Sequence, residues 1–259
     1  MTEQPHLEAA SASARLPEPF LRWFGARGWA PRAHQVDLLA RAQAGKSVLL
    51  IAPTGAGKTL AGFLPSLVDL ANRPERKPGQ AQRGVHTIYI SPLKALAVDI
   101  ERNLAKPVGE MGLPITLETR TGDTPSFKRQ RQKLNPPDIL LTTPEQLALL
   151  IATKDADRFF ADLRYVVLDE LHSLVTSKRG HLLALGLARL RRIVPSLQAI
   201  GLSATVAEPD ELRRWLVNQN PPGPMADLIT VEGGAKPQIT ILDSEERIPW
   251  AGHTTYYAV

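Results

Sequence analysis

Short runs of consecutive apolar residues, each followed by a longer stretch with helical spacing, repeat along most of this chain. The runs fall at residues 47–52, 85–91, 115–119, 139–142, 165–168 and 198–203. They are short and apolar on both alternating sets of positions, which predicts strands buried on both faces of a sheet. Between them, apolar residues recur with helical spacing at 58–71, 94–110, 126–133, 144–151, 181–193 and 208–217, and these segments predict amphipathic helices. Strand and helix in alternation imply parallel strands joined by crossover helices, so the expected fold is α/β: a doubly wound, mostly parallel sheet with helices on both faces. Ahead of the first strand, Phe20, Leu21, Trp23 and Phe24 within 16–27, and Val36, Leu38 and Leu39 within 33–44, predict two short helices broken at Gly28 and Pro31. Residues 72–84 hold Pro74, Arg76, Lys77, Pro78 and Gly79 and predict an exposed loop. Beyond residue 227 the pattern thins to extended pieces at 228–231 and 238–242.

Composition narrows the chemistry. The 259 residues, 43% of them apolar, suffice for one full core. Lys and Arg exceed Asp and Glu by 31 to 26, a net charge of +5, which suits a partner rich in phosphate and equally an ordinary basic protein. The absence of cysteine excludes disulfides, thiolate metal sites and cysteine nucleophiles. No apolar run approaches the ~20 residues needed to cross a bilayer, and residues 1–14 lack a basic start followed by an apolar stretch, so a soluble, unexported cytoplasmic protein without a membrane partner is expected.

The sharpest local signal is Ala52-Pro53-Thr54-Gly55-Ala56-Gly57-Lys58-Thr59, which runs from the predicted strand 47–52 into the predicted helix 58–71. Glycines let successive backbone N–H groups turn inward onto phosphate oxygens, and the helix start adds the positive end of its dipole. Lys58 would reach the β- and γ-phosphates of ATP, and the Thr59 hydroxyl would help hold Mg²⁺. Ala52 stands where the general pattern has glycine.

Asp169 and Glu170 follow the apolar run Tyr165-Val166-Val167-Leu168. A parallel strand delivers such a pair to the carboxyl edge of the sheet, where ligands bind. There Asp169 would hold Mg²⁺ and Glu170 would orient and deprotonate the water attacking the γ-phosphorus. Two acids at a solvated helix start would look the same in isolation. His172 adds little by itself, since a lone histidine is usually structural.

Taken together these residues resemble the DEXH-box helicases of superfamily 2, over residues 29–205, with the family's motifs in order. The resemblance implies a RecA-like P-loop NTPase fold and assigns Gln35 to the adenine edge of ATP. It assigns Lys58, Asp169, Glu170 and His172 to catalysis. Pro92, Leu93 and Lys94, then Arg120, Thr121 and Gly122, then Thr143, Pro144 and Glu145 match motifs that track a nucleic-acid backbone without reading its sequence. Ser203, Ala204 and Thr205 match the motif coupling the nucleotide site to that track. Read singly, Gln35 and Lys94 are equally solvated helix residues, and Ser203 and Thr205 equally caps. The cluster Lys128, Arg129, Arg131 and Lys133 either extends the track or forms a solvated face.

Within the superfamily, Ile90-Ser91-Pro92-Leu93-Lys94-Ala95-Leu96, Arg120-Thr121-Gly122-Asp123-Thr124-Pro125 and Ile248-Pro249-Trp250-Ala251-Gly252-His253 look like the Lhr-like group, nearest to its bacterial ligase-associated branch. That implies a single-stranded DNA track, 3′ to 5′ translocation on DNA or a DNA–RNA hybrid, a role in repair beside a DNA ligase or nuclease, and a bacterial nucleoid setting. RNA unwinding, and a nucleotide-switched clamp that separates no strands, are the alternatives. The expected organisation is an N-terminal extension over 1–28, an ATP-binding domain over 29–225, and a linker over 226–259 toward a second motor domain that would supply the arginine finger.

Overall fold

The computed structural model of the chain describes residues 16–74, 82–204, 206–219, 223–231 and 233. Helices α1 (Glu18–Ala26) and α2 (Ala33–Gln43) lead into β1 (Val48–Ile51), and α3 (Lys58–Ala71) follows the glycine turn. Then come β2 (Thr87–Ile90), α4 (Lys94–Glu110), β3 (Leu117–Arg120), α5 (Ser126–Leu134), β4 (Ile139–Thr142), α6 (Pro144–Ile151) and a single turn, α7 (Ala156–Phe159). The remainder is β5 (Tyr165–Leu168), α8 (Leu171–Val175), α9 (Lys178–Ile193), β6 (Gln198–Ser203), α10 (Pro209–Trp215) and β7 (Asp227–Thr230).

The seven strands form one sheet in the order β3-β4-β2-β5-β6-β1-β7, every neighbouring pair parallel. The expected doubly wound sheet is therefore present. Alternating strand positions feed two cores. Val48 and Leu50 join Phe63, Leu64 and Leu67 of α3 on one face, while Leu49 and Ile51 join Leu183, Leu187 and Leu190 of α9 on the other. Each such side chain, removed from water, contributes about 1.5–3 kcal/mol. Strands apolar on both sets of positions follow directly from this two-sided burial.

Three differences from the sequence reading have local causes. The helices α7 and α8 were not expected: they are four and five residues long, too short to show helical periodicity. The strand expected at 115–119 lies at Leu117–Arg120, because its register is set by pairing with β4, Leu117 opposite Ile139 and Arg120 opposite Thr142. The extended piece at 228–231 appears as β7, paired with β1 from Val48 opposite Asp227 to Ile51 opposite Thr230, so the sheet continues past residue 225, where a linker was expected to begin. Residues 75–81 of the expected loop, the piece at 238–242 and the Trp250 motif lie outside the described residues.

One glycine permits the close turn from α8 into α9. A Cβ on Gly180 would stand 2.0 Å from the Leu174 carbonyl oxygen and 3.1 Å from that of Val175, both backbone atoms that no side-chain rotation can move aside. Gly180→Ala is expected to lower folding stability by about 3 kcal/mol, the upper range for overpacking. Denaturant unfolding checks this, and an unchanged midpoint at unchanged slope would contradict it.

Candidate functional site

The glycine turn leaves β1 and enters α3 with Gly55 and Gly57 at φ 78°, a conformation disfavoured for any residue with a Cβ. Gly57 caps α3 with no side chain on the helix's free N–H groups. The first N–H groups of α3 therefore lie, without a side-chain cap, at the positive end of the helix dipole. Lys58 Nζ donates to the carbonyls of Ala52 at 2.6 Å and Pro53 at 3.1 Å, which draws its ammonium across the loop.

The start of α2 braces the same turn from outside. Arg32 donates to the Gly55 carbonyl at 3.1 Å, the His34 ring to that of Ala56, and Gln35 Nε2 to that of Gly57 at 3.4 Å. Burial holds the His34 imidazole below its ordinary pKa. Gln35 is itself buried, and its Oε1 accepts the Arg32 backbone N–H at 2.9 Å. Both ends of the amide expected to read adenine therefore have partners within the protein, one of them the phosphate loop.

The acid pair reaches the same edge of the sheet. Asp169 leaves β5 beside β6, and β6 lies beside β1, all three strands ending at their carboxyl termini on that edge. A continuous line of contacts connects them. Ala52 N–H donates to the Ser203 carbonyl at 3.2 Å, Ser203 Oγ lies 3.0 Å from His172 Nδ1, and His172 Nε2 lies 3.4 Å from Glu170 Oε2. His172 is thus the physical link between the acid pair and the Ser203 strand end, a role its isolated position in the sequence did not reveal. Gly201 makes room for it: a Cβ there would meet Leu171 Cδ2 at 2.8 Å, so α8 can lie close against β6.

Glu170 has φ 48° and ψ 44° and is the one non-glycine residue with positive φ among the described residues. Holding an L-residue there costs about 1–2 kcal/mol, and such strain persists where the surroundings fix a side chain for use.

Asp169 is buried, 6% exposed, and makes no ion pair with Lys, Arg or His among the described residues. One carboxylate oxygen accepts from the Tyr89 hydroxyl and the other from the Glu170 N–H at 2.9 Å. Burial and the neighbouring Asp169 charge push the Tyr89 hydroxyl's pKa upward, so it remains a donor. A buried carboxylate without a cation fits a site completed by Mg²⁺. The described residues contain no group of three or more His, Cys, Asp or Glu able to hold a metal.

The expected tracking residues divide. Leu93, Lys94 and Gly122 are exposed beyond the strand ends, with Lys94 Nζ on both carboxylate oxygens of Asp123 at 3.0 and 3.2 Å. Thr121, Thr143 and Pro144 are buried, and the Thr121 hydroxyl accepts the Asp123 N–H at 3.3 Å. Arg120 was expected to contact phosphates directly; instead it is 5% exposed and donates to the Arg129 carbonyl at 3.1 Å. It projects beneath α5 because edge strand β3 is covered there, a fact no local pattern encodes. Ser203 is buried and Ala204 half-buried, while Thr205 lies outside the described residues.

Arg179, which motif reading missed, joins two of these segments. Its guanidinium donates to both Glu145 oxygens, one at 2.9 Å, and to the Pro92 carbonyl. Those hydrogen bonds hold the Glu145 pKa down to about 2. The only sequence signal was a basic residue near the start of α9.

A model of the DEAD/DEAH box helicases matches residues 32–212. The chain is 45% identical over 210 residues to an Lhr helicase/probable uracil glycosylase of Mycolicibacterium smegmatis, covering 77% of this chain and 14% of that protein. It is 43% identical over 182 residues to the ATP-dependent helicase Lhr-Core of Methanothermobacter thermautotrophicus, covering 67% of this chain and 21% of that protein. Among solved structures, that of Mycobacterium smegmatis helicase Lhr bound to ssDNA and AMP-PNP superposes with a TM-score of 0.73 at 40% identity, over 85% of this chain and 28% of that one. The chain thus spans less than a quarter of the length of these curated relatives.

Proposed function

Since the chain belongs to the DEAD/DEAH box helicase family, we propose that it binds Mg-ATP at the β1–α3 turn as one wall of a motor that moves along single-stranded DNA. What carries the reading is the line Ala52, Ser203, His172, Glu170, which joins the phosphate loop to the acid pair on one sheet edge. In this reading Lys58 and the N–H groups of the turn hold the phosphates, with Pro53, Thr54 and Ala56 shaping the turn. Glu170 orients the attacking water and takes its proton. Thr59 and Asp169 hold Mg²⁺, which when bound neutralises charge on the phosphate oxygens. Gln35 reads adenine with the Nε2 hydrogen and the Oε1 lone pair that its bonds to Gly57 and Arg32 leave over, and through Gly57 passes that contact to the loop.

His172 and Ser203 relay the state of the nucleotide site to β6, and Lys94, Gly122 and the Arg179-braced Glu145 segment present the track. DNA is favoured over RNA because a 40% identical structure is of a helicase bound to ssDNA. A repair setting beside a DNA ligase or nuclease at the bacterial nucleoid rests on the motif resemblance.

A second domain would supply the arginine finger, worth about 10³–10⁵ in rate in comparable nucleotidases. Accordingly the 259-residue chain is expected to bind Mg-ATP, hydrolyse it very slowly and separate no duplex. Nucleotide titration together with a strand-displacement assay tests this. Failure to bind nucleotide would overturn the site, and unwinding by the chain alone would overturn the one-wall reading.

A further inference from the structure

The predicted basic cluster on α5 does not act as one face. Arg131 pairs with Glu118 at 2.6 Å, whereas Arg129 and Lys133 point into a groove of about 540 Å³ between α5 and α6–α7. Arg120 and Arg158 line the same groove, and Asp155 is the one carboxylate among its lining residues. Four cations against one anion leave the concavity at +3. None of the four has an ion pair among the described residues. Their hydrogen bonds go to backbone carbonyls instead: Arg120 to Arg129, Arg129 to Gly122 and Thr124, and Arg158 to Lys133. Arg120 is more than nine-tenths buried, and its Nε has no partner. A buried, incompletely bonded guanidinium beside three further uncompensated cations is an arrangement an anion would stabilise.

From this we infer that the groove is a second backbone-phosphate site, which takes nucleic acid where it leaves the track at the strand ends. The inference rests on the proposed track but not on its contacts. The two regions are one piece of structure. Arg129 holds the Gly122 turn at 2.6 Å, and the Thr142 hydroxyl donates to the Arg120 carbonyl at 2.8 Å, so the groove opens from beneath the turn that borders the track. Arg129 and Lys133 stand one helical turn apart, about 6 Å along α5, which suits successive phosphates on an extended strand. Leu134 and Leu149, 58% and 56% exposed at its sides, offer apolar surface to sugars or bases. The phosphates could belong to the tracked strand as it continues or to the second strand of a duplex ahead of it.

Fluorescence anisotropy across a salt series decides the matter, using the chain and its Lys133→Gln/Arg158→Gln double variant. Three probes serve: an oligothymidylate of about 6 nucleotides that covers the track alone, one of about 20, and the short one joined to a hairpin duplex. The double variant is expected to bind the short probe like the parent. It should bind a longer probe roughly five- to twenty-fold more weakly at 0.1 M salt, and the log–log salt slope should fall by about 1.4 on the long single strand, 0.7 for each lost phosphate contact, or by about 1.8 on the duplex, 0.9 for each. Loss confined to the long single strand identifies the continuing strand, and loss confined to the hairpin probe identifies the second strand. Lys128→Gln, a change of charge on α5 outside the groove lining, should leave all three slopes unchanged. Equal slopes for parent and double variant on every probe would overturn the groove while leaving the track intact. No binding of the short probe, with groove-dependent binding of a longer one, would overturn the track and sustain the groove.

Discussion

Lys58→Ala should weaken Mg-ATP binding by at least about 100-fold, corresponding to roughly 2.7 kcal/mol. Two losses combine. Removing one member of a close charge pair at a desolvated site costs about 2–5 kcal/mol, because the phosphate charge left behind is only partly compensated. The ammonium also spans the turn through the Ala52 and Pro53 carbonyls, so its removal loosens the backbone that presents the N–H donors. Folding should be little affected, since Lys58 opens α3 without contributing to either core cluster. Titration with a fluorescent ATP analogue, alongside a melting curve for each protein, measures both quantities. Unchanged affinity would remove Lys58 from the phosphate site.

Glu170→Gln should have the opposite signature: nucleotide binding within a few-fold of the parent, and single-turnover hydrolysis slower by about 10²–10⁴-fold. The amide keeps the size and most of the hydrogen bonding of the carboxylate but cannot accept the proton of the attacking water. It should also tolerate the left-handed backbone no worse than glutamate does, so the α8 start, with Ser173 Oγ donating to the Glu170 carbonyl at 2.8 Å, survives the change. The same variant separates an engine from a switch. An engine retains ATP and stalls, whereas a nucleotide-switched clamp keeps its partner binding and loses nothing measurable. A hydrolysis rate equal to the parent's would exclude Glu170 as the base.

Several elements were legible from the chain alone for specific reasons. The ranges Lys58–Ala71, Lys94–Glu110, Pro144–Ile151, Ile139–Thr142, Tyr165–Leu168 and Gln198–Ser203 agree with the sequence reading residue for residue. In each, burial on one helix face or on both strand faces imposes a period that the apolar residues must follow. The glycine turn between β1 and α3 was legible for a different reason: Gly55, Gly57 and Lys58 lie within a few bonds of one another, so their order along the chain is already their arrangement in space.

What resisted sequence reading involves partners distant along the chain. Arg179 braces Pro92 and Glu145, and His172 meets Ser203, only because parallel crossovers bring the ends of β2, β4, β5 and β6 to one edge. Arg120, Arg129 and Lys133 are three cations in sequence, but the packing of α5 buries the first and turns the other two toward Arg158.

The sequence by itself therefore determined the layers, the direction of the strands and the place of the glycine turn, because hydrophobic periodicity and short-range backbone geometry are local properties of a chain. Only the tertiary structure decided which charges are compensated, which are buried and which face one another. Those outcomes depend on distances and dielectric surroundings that arise when remote segments pack together.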